Sequence, residues 1–213
     1  MYRVQNIDKG VTPQVSKLFE FNPPNDNPDA NPIRAQAAYA YAPIYNDIWV
    51  YFGTGRYENL ADRFDKTTQY FLGLYEDHTA AIGSAATYQL GGANSPVVLE
   101  AKFVQDLATG KYFRIIDGSN PGANSSWAVE LYSGQADYNG QPTPGRLLGS
   151  ERVIVKPLVA GGLVFFVTFT PAEDVCSGNG ETWVYAIDYQ TGLAPTVPVF
   201  DINNDGRFDD NDR

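Results

Sequence analysis

The sequence predicts an all-β fold assembled from repeated sheet units, and three observations carry that expectation. The chain of 213 residues holds fourteen Tyr, twelve Phe and three Trp against a single Met, a bias toward side chains that pack well on a pleated surface. Twenty Gly and fourteen Pro supply the turns that many short strands need. Two segments then repeat: "PIYNDIWVYFGTG" from Pro43 and "PLVAGGLVFFVTF" from Pro157, 114 residues apart, each place a proline and two apolar residues before a turn and a strongly apolar strand. Each is followed by a second strand of the same kind, "QYFLGLYED" from Gln69 and "TWVYAIDYQTG" from Thr182, and such self-similarity points to repeated β-sheet units.

Taken in order, the opening "MYRVQNIDKG" shares its design with "WVYAIDYQTG": a short strand, an aspartate and a polar turn ending in glycine. Residues 21–34, "FNPPNDNPDANPIR", hold four prolines and four asparagines and read as a loop. The only expected helix is a short one over 58–64. Strands over Val97–Gln105 and 111–117 flank a glycine-containing turn and predict a hairpin, and "SWAVELYSG" from Ser126 adds another strand. "YNGQPTPGRLLG", around Pro142 and Pro144, is a second loop. "LVAGGLVFFVTF", residues 158–169, reads as the turn and second strand of a buried hairpin. A propeller blade takes about 40 to 50 residues, so this length predicts about four blades, part of a larger ring.

The 43% hydrophobic content supplies a core. A formal net charge of −10 repels phosphate backbones, which argues against nucleic acid and in favour of cations as partners. The apolar run at 158–169 is shorter than the roughly 20 residues of a membrane helix. "MYRVQNIDKG" carries charged and polar residues where a secretion signal needs an apolar stretch, so the chain is expected either to be cytosolic or to begin, at Met1, as a cut fragment. Cys176, the lone cysteine, has no internal disulfide partner and is expected to be a small thiol without a special role.

The stretch with the most chemistry is "DINNDGRFDDND", residues 201–212. Asp201, Asn203 and Asp205 stand at positions 1, 3 and 5 of the calcium-loop template, with Gly206 at position 6. Arg207 at position 7 would offer its backbone carbonyl, Asp209 at 9 would bind directly or through water, and Asp212 at 12 would close the shell. A hard cation needs six to eight oxygens at about 2.3–2.6 Å, and alternate residues of a tight loop turn inward together to supply them. Spacing and glycine together argue against a merely solvated acidic tail. Asp in place of Glu at position 12 is shorter, as in dockerin-type loops. The preceding "PTVPVF" is extended, so no EF-hand helix pair is expected.

Other motifs carry less. "GTGRY", residues 53–57, lacks the third glycine of a dinucleotide fingerprint and the lysine of a P-loop, and reads as a turn after a strand. His78 is the only histidine, and no nucleophile-elbow sequence accompanies it, so no catalytic or organic-cofactor residue is assigned. The sequon-like "NSS" at Asn124 carries no weight.

The order of motifs resembles a known family. "IWVYFGTGRYENLADRFDKTTQYFLGLYED", then "GSERVIVKPLVAGGLVFFVTFTPAEDVCSGNGETWVYAIDYQTG", then "VFDINNDGRFDDND" is similar to the C-terminal β-propeller region of the PilY family of type IV pilus biogenesis and tip-adhesin proteins. The resemblance runs from about Tyr2 to the end of the chain. It implies a quinoprotein-like β-propeller in blade construction over 1–213, without a quinone site, and a calcium role for Asp201, Asn203, Asp205, Arg207 through its backbone, Asp209 and Asp212.

It further implies an exported, non-enzymatic protein at the cell surface, pilus tip or outer membrane. Such a protein works with minor pilins or other pilus subunits, supports pilus assembly, opposes retraction and mediates adhesion to host or abiotic surfaces. Family chains have a large N-terminal region and continue past the acidic loop, so a truncated, cleaved or split protein is expected, with another chain completing the propeller. The alternatives are a propeller enzyme, either a quinoprotein dehydrogenase or a glycan hydrolase, and a dockerin-like interaction module.

Overall fold

The computed structural model describes residues 1–5, 10, 12–21, 30–42, 47–77, 86–105, 110, 112–131, 150–171, 180–209 and 212. Among these the structure is all-β. The strands are β1 (Tyr2–Gln5), β2 (Gln14–Lys17), β3 (Phe19–Glu20), β4 (Ala38–Ala42), β5 (Asp47–Gly53), β6 (Tyr70–Asp77) and β7 (Tyr88–Gln89). They continue with β8 (Val97–Gln105), β9 (Tyr112–Asp117), β10 (Trp127–Glu130), β11 (Arg152–Val153), β12 (Leu158–Ala160), β13 (Leu163–Thr170) and β14 (Glu181–Asp188). The short helix expected at 58–64 is a single 3-10 turn, Leu60–Phe64, started by the Asn59 side chain accepting from the Ala61 and Asp62 N–H groups.

Both members of the sequence repeat form the expected strands, and in each the two strands pair antiparallel. β5 pairs β6 with Tyr51 opposite Gly73, and β13 pairs β14 with Phe166 opposite Tyr185. β12 and β13 make the hairpin expected at 158–169, turning through Gly161 and Gly162, both at positive φ, but it is not buried as expected: Leu158 is exposed and β13 buries only alternate residues. The recurring ending is also visible in the backbone: Gly10 and Gly192 stand at φ 64° and 69°, and Asp188 accepts from the Gln190 and Thr191 N–H groups to close the second of these turns.

The strands gather into four sheets of two, six, four and two strands, the six-stranded one in the order β4-β5-β6-β10-β8-β9. Unlike a run of hairpins, this sheet contains a parallel pair: β10 inserts between β6, antiparallel, and β8, parallel. β6 is covered on both faces, Phe71 by the four-stranded sheet and Leu72 and Leu74 by the Leu18, Phe19 and Leu90 cluster, which is why all three are fully buried and why "FLGL" shows no alternation. By contrast β13 has sheet face and outer face in strict alternation, with Val164, Phe166, Thr168 and Thr170 turned in.

One face of the six-stranded sheet packs on the four-stranded sheet through Trp49, Tyr51, Phe71, Trp127, Val129, Val164, Phe166 and Tyr185. Phe166 stacks on Phe71 at 3.8 Å and on Tyr185 at 4.5 Å, a three-ring ladder between the sheets. The other face is covered by Leu18, Phe19 and Leu90 from around β3 and β7. Gly73 is required by space, since a Cβ there would lie 2.3 Å from the Trp127 ring. No helix among the described residues is long and apolar enough to cross a membrane. Cys176, His78, Pro142 and Pro144 lie outside the described residues.

Candidate metal centre

Beyond β14 the chain runs without regular structure into the acidic loop, and there the aspartates organise the backbone. Both Asp201 oxygens accept N–H groups, Oδ1 from Asp205 at 3.1 Å and Oδ2 from Gly206 at 2.9 Å. Asn203 Oδ1 accepts from the Asp205 N–H at 2.9 Å, and Asp205 Oδ1 from the Arg207 N–H at 2.8 Å. Asn204 and Gly206 stand at φ 62° and 80°. These left-handed steps suit Asn and Gly and turn the chain sharply enough to bring positions 1, 3 and 5 into one turn.

Asp212 closes the other side. Its Oδ1 accepts from the Ile202 and Asn203 N–H groups at 2.9 and 3.2 Å, and its Oδ2 from Asp209 at 3.1 Å. Position 12 is thus tied to positions 2, 3 and 9. Desolvation pushes the Asp212 carboxyl up, but the three N–H donors outweigh it and hold its pKa below the ordinary aspartate value. Asp212 is buried, Asp201 and Asp209 are half-buried, and Asn203, Asp205 and Arg207 are exposed. Asp210 and Asn211 lie outside the described residues.

The loop is therefore drawn together through N–H groups. Among the described residues no group of three His, Cys, Asp or Glu side chains is gathered as a metal shell. The chemistry of the donors suits a hard divalent cation: the candidate ligands are all oxygens, and a carboxylate has about four acceptor positions, so the two N–H bonds at Asp201 and the three at Asp212 leave capacity. Asp201, Asn203, Asp205, Asp209 and Asp212, with the Arg207 carbonyl, are the residues that would hold it.

A second acidic place lies on the six-stranded sheet, where Glu100, Asp117 and Glu130 line a cavity of about 420 Å³ with Val98, Leu99 and Gly118. Lys102 reaches both Asp117, at 2.5 Å, and Glu100, at 3.6 Å. Burial, then the neighbouring Glu100, raises the Glu130 pKa.

Sequence reasoning missed a buried polar cluster in "SERV". Ser150, Glu151, Arg152 and Val153 are all buried. Glu151 accepts from Thr168 Oγ1 at 2.5 Å, Tyr185 OH at 2.6 Å and Arg114 Nε at 3.1 Å. Arg152 donates to the carbonyls of Ser150, Arg56, Asp62 and Asp65. Adjacent opposite charges ordinarily mark a solvated strand edge, so the only available signal was the apolar run that follows them.

The repeated antiparallel pairs and the core on both faces of the six-stranded sheet define an all-β protein of packed sheets. No family model matches it. The chain is 30% identical over 148 residues, 68% of its length, to a "Type IV pilus biogenesis factor PilY1 homolog" from Xylella fastidiosa, and the match spans 9% of that relative. With the "Type IV pilus biogenesis factor PilY1" of Pseudomonas aeruginosa it shares 26% identity over 185 residues, 84% of this chain and 16% of that one. The crystal structure of the Pseudomonas aeruginosa PilY1 C-terminal domain superposes with a TM-score of 0.61 at 23% identity, covering 84% of this chain and 36% of that one. The chain belongs to the PilY family and corresponds to its C-terminal region.

Proposed function

We propose that this chain is a non-enzymatic, calcium-binding segment of a type IV pilus biogenesis factor, exported to the cell surface, where it supports pilus assembly, opposes retraction and contributes to adhesion. The pilus role rests on the names of the relatives. Minor pilins or other pilus subunits, a further chain completing the propeller, and a host or abiotic surface are the partners that follow from that reading. The calcium role rests on one observation: the acidic loop is closed on itself, with position 1 bonded to positions 5 and 6 and position 12 to positions 2, 3 and 9.

In this reading Ca²⁺ neutralises the crowded carboxylates and fixes the loop beyond β14, and so changes the strength of pilus or surface contacts. Calorimetric titration of the chelator-treated chain with Ca²⁺ and then Mg²⁺ tests it, with Asp201→Ala combined with Asp205→Ala as control. Selective calcium binding, lost in the double variant while the far-ultraviolet spectrum is kept, supports the reading. Equal calcium affinity in the double variant ends it.

A further inference from the structure

The buried tetrapeptide 150–153 has two faces that serve different parts of the molecule. Glu151 turns toward the space between the hairpin β8–β9 and the four-stranded sheet. It takes Arg114 of β9 together with Thr168 of β13 and Tyr185 of β14. The Arg114 guanidinium lies 4.7 Å from the Phe103 ring of β8 and 4.6 Å from the Trp183 ring of β14, so this ion pair is enclosed by aromatic faces from both sheets.

Arg152 turns the other way. Its guanidinium reaches the Arg56 carbonyl at 2.9 Å, Asp62 at 2.6 Å and Asp65 at 3.0 Å. These carbonyls belong to the loop that follows β5 and contains the 3-10 turn. Ser150 adds its N–H and hydroxyl to the Asp65 carbonyl, and the Val153 N–H donates to the Thr54 carbonyl at 3.0 Å. Gly55 leaves room for this approach, since a Cβ there would come within 2.4 Å of Arg152 Cβ.

We infer that residues 150–153 act as a two-faced latch that makes the 54–65 loop, the hairpin β8–β9 and the pair β13–β14 open as one cooperative unit. The physical reason is that neither buried charge tolerates loss of its partners: withdrawing the segment to free the loop also removes Glu151 from Arg114, and the converse holds. With the two charges on adjacent residues, one backbone displacement breaks both sets. Independent fraying of the loop is therefore suppressed, although loops of this kind commonly open alone.

Native-state hydrogen exchange followed by mass spectrometry on the whole chain tests this, for the wild type and for Glu151→Gln and Arg152→Lys. Each variant is expected to speed exchange about tenfold or more in all three regions, including the region its own side chain does not touch. The double variant should exchange little faster than the worse single one. Acceleration confined to 54–65 in Arg152→Lys and to β9, β13 and β14 in Glu151→Gln would overturn the latch. The wild type alone gives a second reading in low denaturant: a common slope and a common opening free energy for the three regions support the latch, and separate slopes refute it.

Discussion

Segments 150–153 and 201–212 are both short, charged and held by side-chain hydrogen bonds, yet they do opposite work. Arg152 bonds to the Arg56 and Asp65 carbonyls reach 96 and 87 residues along the chain, whereas the Asp201 and Asp212 bonds described above span at most 10. One set ties segments far apart in sequence together at buried positions, and the other folds a mostly exposed loop on itself. The number of charged hydrogen bonds is thus a poor guide to their global effect. What counts is which elements they join and how much water they have lost.

The comparison is broken most directly at Glu151. Glu151→Leu leaves the Arg114 guanidinium buried without its carboxylate and is expected to destabilise the whole chain by about 3–5 kcal/mol, read as a lower denaturant midpoint; a change under about 1 kcal/mol would make the two segments equivalent. Calcium sharpens the other side. At a free concentration about 100 times its dissociation constant, it should stabilise the wild type by about 2.7 kcal/mol and leave the Asp201→Ala, Asp205→Ala variant unmoved in thermal unfolding.

A neutral benchmark for global coupling is Gly73→Ala, which drives a methyl into the Trp127 ring. It should cost about 1–3 kcal/mol by overpacking and shift the same global transition as Glu151→Leu, without altering calcium affinity.

The smallest effect is acid-dependent. Because the folded pKa of Asp212 lies below its ordinary value, its contribution is complete above that ordinary value and is lost as pH falls through the lower folded one. The amide resonances of Ile202, Asn203 and Asp209 in the calcium-free chain should therefore titrate together at a pH below the ordinary aspartate range. A shared midpoint at or above that range would show that the carboxyl is not held by these donors.

The repeated pairs were legible because their information is local. Period and composition mark "IWVYFGTG" and "LVFFVTF" as strands whatever surrounds them, and "IDYQTG" carries its own turn. The acidic loop was legible for the same reason, since its aspartates and Gly206 act within a few residues of one another. The expected 58–64 helix is one 3-10 turn that starts at the Asn59 cap and stops where Asp65 turns extended, and Arg152, far along the chain, bonds the Asp62 and Asp65 carbonyls at its end.

By itself, then, the sequence determined the strand content, the repeated strands that became β5, β6, β13 and β14, the turn glycines and the oxygen-rich loop at 201–212. The tertiary structure alone decided that β10 slips between β6, antiparallel, and β8, parallel, and that "SER" is fully enclosed. The reason is distance along the chain. Pairing preferences and turn geometry act between near neighbours, while insertion of a strand and burial of an ion pair depend on partners many tens of residues away, which no local pattern encodes.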